Sequence, residues 1–239
     1  MTSRGGVRPV HASRASSHPG LTFAAGTAVA IALAVVAMAS DVGCVVGKRA
    51  LKVPDGDGAL ILLCTTEMPE PITDIARHGW FAVRDAGATS FERIEYGFFG
   101  SGPFDGESGV MLHAIWRGER AERGIACLRA HQSEYRPNGK YLPWPGPNSN
   151  TFVDSLLRRC DLHADLPATA IGRDYRGLIG VSWTAGGTGV QFETPIAGVK
   201  LGLTEGIEVH FFALAFGLDL WPPALIVPFG PGRIGFADR

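Results

Sequence analysis

Trp144-Pro145-Gly146-Pro147-Asn148-Ser149-Asn150-Thr151-Phe152 is the stretch on which the reading of this chain turns. Two prolines and a glycine stiffen the approach, and four small polar residues stand where a helix should begin. Phe152, Val153, Leu156, Leu157 and Cys160 then recur at helical spacing, which predicts a helix opening at this point. The first backbone N–H groups of such a helix lack intrahelical acceptors and lie at the positive end of its dipole. On one reading Asn148–Thr151 only cap the helix. On the other, Ser149 is presented to a cleft, because nucleophiles and anion sites favour this geometry. The spacing alone leaves both open.

Upstream, Glu119 to Tyr135 predicts a second helix with Ala121, Ile125, Leu128 and Tyr135 on one face. Before it come strand signals. Ala59 to Thr66 is a continuous apolar run of strand length, as in a strand buried on both faces. Arg77 to Arg84 is rich in aromatic and β-branched residues, with His78 at its entrance. Asp85-Ala86-Gly87-Ala88 reads as a turn, and Ser90 to Phe98 as the return strand. Arg93 and Glu95 fall on one of its faces, Ile94 and Tyr96 on the other. Gly100 to Gly109 is glycine-rich, but no Gly-Lys-Ser/Thr follows and no helix opens after it, so it is not a phosphate loop. Val110 to Trp116 reads as a further strand.

Downstream, Leu166 to Tyr175 is an irregular link. Leu178 to Thr184 and Val190 to Thr194 form a hairpin pattern, and Lys200 to Leu203 a short strand. From Glu205 to Leu214, Ile207, Val209, Phe211 and Ala213 alternate with Glu208 and His210. Prolines at 222, 223, 228 and 231 argue against both a membrane helix and a central strand in the tail.

The first 39 residues read as a separate object. Arg4, Arg8 and Arg14 precede any acid, and Leu21 to Ala39 carries no charge. A basic start with an apolar middle is the layout of an export signal, and Ala37-Met38-Ala39 offers a small-x-small cleavage pattern. The run also has about the 20 residues that span a bilayer, so an uncleaved anchor is the competing reading. Either way residues 40–54 are a connector, and 55–239 form one domain on the outer side of the membrane, in the cell envelope. Net charge is −1 with no basic cluster beyond the N-terminus, which argues against nucleic acid as a partner. Cysteines 44, 64, 127 and 160 are scattered without a CxxC, so no metal cluster is indicated; export permits a disulfide whose pair the spacing cannot choose, and Cys64, Cys127 and Cys160 are expected mostly as small buried hydrophobes.

The run from Trp144 to Phe152, with Leu166-Pro167, Ala170 to Tyr175, His78 to Val83, Glu205 to Glu208 and Gly232 to Gly235, resembles the bacterial family known as domain of unknown function 3750. The resemblance extends over about Pro54 to Gly235 and implies no established reaction. Arg173 stands where the pattern carries a lysine. The order of a His-bearing strand, return strand, helix, then Asn-Ser-Asn-Thr-Phe-Val opening a helix is also similar to the circularly permuted papain-like group, which includes NlpC/P60 peptidases and lecithin–retinol acyltransferase-like proteins. That similarity implies His78 as base and Ser149 as nucleophile. Glu95 is the choice for orienting residue, with His210 on a distant strand as another. Asn148 and Asn150 would serve the helix cap or the oxyanion. The group carries cysteine where this chain has Ser149, and a hydroxyl needs a base to take its proton during attack.

The fold expected is α+β, a mainly antiparallel sheet with two principal helices, permuted papain-like by resemblance. A β-rich C-terminal half wraps or extends it, and the N-terminal signal or membrane helix stands apart. The function expected is that of a non-catalytic envelope protein with a binding or scaffold role. The alternative is a serine-dependent hydrolase or acyl transferase acting on peptide, amide or ester bonds of the envelope. Neither calls for a cofactor or metal. Geometry separates them, since catalysis needs the Ser149 hydroxyl within hydrogen-bond reach of a His78 ring nitrogen.

Overall fold

The computed structural model describes residues 53–97, 102, 104, 109–136 and 141–236. The readings made of residues 1–39, of most of the connector and of most of the glycine-rich loop lie outside the described residues. Among the described residues no helix is long and apolar enough to cross a membrane.

Four strands form the first sheet: β1 (Leu60–Glu67), β2 (Arg77–Arg84), β3 (Glu92–Ile94) and β4 (Met111–Arg117). They run in the order β3-β2-β1-β4, every pair antiparallel. β1 is an inner strand covered on both faces, with Ile61 and Leu63 on one side and Leu60, Leu62 and Cys64 on the other, which is why its sequence is an unbroken apolar run rather than an alternation. The helices α1 (Gly118–Gln132) and α2 (Ser149–Arg159) cover one face of the sheet. There Ile61, Leu63, Phe81 and Val83 pack against Ile125, Leu128, Phe152 and Val153. The other face, with Leu60, Leu62, Cys64 and Trp80, is covered by Phe91, Phe104 and Val110. Each buried side chain of this size contributes about 1.5–3 kcal/mol of transfer free energy, so the sheet–helix layer is the stable centre of the domain.

The C-terminal half is a second, seven-stranded antiparallel sheet. It comprises β5 (Gly180–Trp183), β6 (Gly189–Glu193), β7 (Ala197–Gly202), β8 (Gly206–Phe211), β9 (Leu214–Leu220), β10 (Pro223–Ile226) and β11 (Arg233–Gly235). The strands follow chain order, each pairing with the next. The α+β expectation holds, with two helices and antiparallel sheets as the dominant elements.

Several details differ from the sequence reading. The return strand is only three residues long, because Gly97 turns the chain at φ +101° soon after Glu95 leaves the ladder. The tail does hold an internal strand: β10 lies between β9 and β11 with Pro223 as its first residue, a position proline tolerates. Cys127 and Cys160 are not buried hydrophobes but a disulfide, which ties α1 to the C-terminal cap of α2. Closing a loop of 33 residues is worth about 3–4 kcal/mol in the chain-entropy account. Cys64 is buried, as expected, and burial pushes its thiol up to about 12 against the opposing pull of Arg93.

On β8 the expected alternation is present, and its buried set is Glu208 and His210 while Ile207, Val209 and Phe211 face outward. Gln191 and Glu193 on β6 and Lys200 on β7 are buried on that same inner face. The inner face packs on the link around residues 165–176, where Ala168 meets Ala215 and Ile226, and Lys200 approaches Asp165 at 3.5 Å.

Candidate active site

The N-terminus of α2 is held by a capping box. The Asn148 side-chain oxygen accepts from the N–H groups of Asn150 and Thr151, at 3.0 and 3.1 Å, and the Thr151 hydroxyl accepts from the Asn148 N–H. Asn148 Nδ2 donates to the carbonyls of Pro143 and Ile171, both at 2.9 Å. Asn150 Nδ2 donates to Arg77 O on β2 and again to Ile171 O. The Thr151 hydroxyl donates to Gly172 O at 2.7 Å. Strand, link and helix are thus fastened at one point, immediately beside His78. At Gly79 an added Cβ would come within 2.9 Å of Asn150 Oδ1, so glycine lets the helix end approach the strand.

Ser149, the first residue of α2, is brought against β2 by this arrangement. Its Oγ lies 2.8 Å from His78 Nδ1, and His78 Nε2 lies 2.7 Å from Glu95 Oε2. Three side chains from a strand, the residue after the next strand and a helix start therefore form one hydrogen-bonded line. Arg93 pairs with the same Glu95 oxygen at 2.9 Å, and the His78 ring stacks on Trp80 with centroids 6.0 Å apart. Burial pushes the Glu95 carboxyl up, but hydrogen bonding to His78 and the charge of Arg93 outweigh it and hold it below the ordinary carboxylate value. An ionised carboxylate only accepts, so Nε2 carries the proton and Nδ1 is left to accept from the Ser149 hydroxyl. Ser149 and His78 are 2% and 1% exposed. Tyr141, 37% exposed, places its hydroxyl 3.5 Å from Ser149 Oγ.

Of the two roles expected for Asn148 and Asn150, the structure shows cap and fastening; their amides point at backbone carbonyls rather than at space in front of Ser149. Among the described residues only Ser149's own N–H, at the first position of the helix, is left without an acceptor there. His210 does not orient His78; it lies between Glu193 and Glu208, each 2.6 Å from one of its ring nitrogens. Tyr141 went unnoticed in the sequence, where its only signal is proximity to the Trp144–Phe152 stretch.

Gly172 adopts φ +91°, and an added Cβ would collide with the Asn148 side-chain amide. Gly172→Ala is expected to cost about 2 kcal/mol or more, from left-handed strain and from a displaced cap. Urea unfolding measures that loss, and amide exchange should be faster at Asn150 and Thr151, whose N–H groups Asn148 holds.

A second polar cluster lies between the link and the inner face of the seven-stranded sheet. Arg173 bonds Glu208 and Asp174, while Lys200 sits 3.7 Å from Glu208 and 3.8 Å from Asp174. Asp174, Glu208 and His210 bring ligand-type atoms within 4.8 Å of one another. The cationic side chains Arg173 and Lys200 already lie against these carboxylates, so the chemistry of the set does not suit a cation. Burial pushes the Asp174 carboxyl up, but Arg173, His210, Lys200 and Arg176 hold it well below its usual 3.8. A depressed carboxylate adds stability above its unfolded value and loses it as pH falls through the folded value. Asp174→Asn should therefore be less stable than the native chain at pH 6, and the gap between their urea midpoints should shrink as pH falls below about 4.

Residues 60–175 match the family model described as "Protein of unknown function (DUF3750)". The match spans the first sheet, both helices and the link, and so includes Ser149, His78 and Glu95; it stops before the seven-stranded sheet. No curated protein and no solved structure matches the chain.

Proposed function

We propose that this protein is a serine-dependent acyl-transfer enzyme, a hydrolase or transferase, with Ser149 as nucleophile, His78 as general base and Glu95 as the residue that orients it. The observation that carries the proposal is the continuous line Ser149 Oγ, His78 Nδ1, His78 Nε2, Glu95 Oε2, with both links below 2.9 Å. In the reaction His78 Nδ1 takes the hydroxyl proton as Oγ attacks a carbonyl carbon. His78 then returns that proton to the leaving amine or alcohol as the scissile bond breaks. Water, or a second hydroxyl or amine, attacks the Ser149 ester and releases the acyl group with the same proton shuttle. The N–H of Ser149 at the helix N-terminus and the hydroxyl of Tyr141, 3.5 Å from Ser149 Oγ, serve in this reading as the oxyanion donors. The exposed side of Tyr141 marks the approach, so substrate entry requires its ring to move from Ser149.

The strand–return strand–helix order around these residues supports the likeness to the permuted papain-like group as part of this proposal. The envelope location belongs to it too. The basic start and charge-free run of residues 1–39 support it, and the Cys127–Cys160 disulfide suits an oxidising compartment. The substrates proposed are peptide, amide or ester bonds of envelope material. A non-catalytic binding or scaffold role draws on the near-complete burial of Ser149 and His78. Incubation of the full chain with a fluorophosphonate, followed by peptide mapping, separates the two. An adduct on Ser149 is expected, and an unmodified Ser149 in folded protein argues for the scaffold role.

A further inference from the structure

The outer face of the seven-stranded sheet is apolar from edge to edge. Strand register aligns Trp183, Val190, Leu201, Ile207, Leu218 and Leu225 in one row across six strands. A parallel row holds Val181, Phe192, Val199, Val209 and Phe216. Most of these side chains stand open to solvent, Val181 at 75% and Trp183 at 71%. No outward-facing position on strands β5–β11 is charged. The register cannot slip to hide them, because a one-residue shift would expose Glu193, Lys200, Glu208 and His210, which are fixed by ion pairs on the inner face. With strands about 4.8 Å apart, the patch runs about 29 Å across the sheet and about 14 Å along it. That is on the order of 400 Å² in plan and more as accessible surface, at the upper end of what a monomer leaves open.

Three occupants are conceivable: a second copy, the chain's own apolar run, or lipid. An interface between proteins of this size normally carries about one hydrogen bond per 100–200 Å² and a polar rim. The rows here offer no side-chain donor or acceptor except the Trp183 indole. Strands of three to seven residues are too short to span a bilayer, which takes about 9–11. Trp183, and Trp221 in the turn between β9 and β10 at 67% exposure, suit the headgroup level. The charge-free run Leu21–Ala39 gives the same chain a second element of bilayer composition. The connector from Ser40 to Lys52 reaches at most about 45 Å when fully extended. That tether confines the sheet near any bilayer holding the run and raises its effective concentration there.

We propose that the outer face of the seven-stranded sheet lies on a lipid surface, in the interface and not across it. The proposal rests on the reading that the N-terminal run holds the chain at a membrane. The test uses the full chain with Cys44→Ser, reconstituted in phosphatidylcholine–phosphatidylglycerol vesicles. A fluorophore is placed through Val209→Cys, in a second preparation through Phe216→Cys, and as control through Glu122→Cys on the exposed side of α1. Cys64 is buried and Cys127 is bridged to Cys160, so neither competes for label. With nitroxide at carbon 5 of the acyl chain, the Val209 and Phe216 labels should be quenched several-fold more than the control, and iodide in water several-fold less. Iodide access equal to the control, in protein that floats with the vesicles, overturns the proposal while leaving the tether intact. Protection from both quenchers overturns it in favour of a protein cover. Spin-label distances between copies below about 20 Å then identify a second copy, and their absence identifies the chain's own apolar run. Failure to float overturns the tether reading, and with it the proposal.

Discussion

Ser149→Ala is expected to abolish the fluorophosphonate adduct and to slow acyl transfer by at least about 10⁴-fold, because the nucleophile and the group that fixes its proton act as a unit. The stability effect should be small beside this. The lost hydroxyl leaves His78 Nδ1 buried without its 2.8 Å partner, which costs about 1–3 kcal/mol. Glu95→Gln provides the sharper discrimination. Its amide can present a donor to His78 Nε2 and favour the tautomer in which Nδ1 carries the proton and can no longer accept from Ser149. A loss in labelling rate of about 10⁴-fold is expected, with the urea midpoint displaced much less than in a core substitution. Rates of fluorophosphonate modification, measured by intact mass against time, check both variants. Undiminished modification in Ser149→Ala, or a Glu95→Gln rate equal to the native one, would remove the case for catalysis and leave the three residues as a buried polar fastening.

How far the sequence foretold this site depends on how local each signal was. The helix start was legible because cap chemistry and apolar spacing lie within a dozen residues, and the capping box bears this out. His78 and Glu95 were legible as occupants of paired strands, although only coordinates could join them to a helix 71 residues away from His78. The role of Asn148 was half legible. Its cap follows from position, but its bonds to Pro143 and Ile171 depend on a link with no regular structure. The disulfide was illegible because scattered cysteines carry no pairing information. Which face of β8 is buried was illegible for a deeper reason. Period-two alternation reports that two faces differ, not which one is buried. The rule that apolar residues face inward fails here because Arg173, Asp174 and Asp165 supply partners to the polar face from outside the sheet. Nothing near β8 in the chain announces them.

The same dependence makes the link a sensitive point, and Arg173 is where it is most exposed to substitution. Arg173 Nη2 bonds Glu208, Nη1 bonds the Leu166 carbonyl and Nε bonds Asp174 at 2.9 Å, with both Arg173 and Glu208 nearly fully buried. Burial pulls the guanidinium down, but Asp174 and Asp165 more than compensate, so it stays charged. Arg173→Met retains the bulk and deletes the charge. Glu208 then keeps His210 at 2.6 Å and Lys200 at 3.7 Å, so it is weakened rather than wholly unpaired. The expected cost is about 3 kcal/mol, the lower end of the range for breaking a buried pair. Adding Glu208→Gln should cost less than it does in the native chain, because the carboxylate it removes has already lost its arginine. A double-mutant cycle on urea midpoints, with a coupling of at least about 1 kcal/mol, is the expected result; strict additivity would mean the pair holds nothing together. The consequence should also travel. Arg173 follows directly on Ile171 and Gly172, whose carbonyls anchor Asn148, Asn150 and Thr151. Arg173→Met is therefore expected to slow Ser149 modification by several-fold at temperatures where the variant remains folded, through a loosened helix start. Native rates in a destabilised Arg173→Met protein would show that the cap holds Ser149 in place without help from the second sheet.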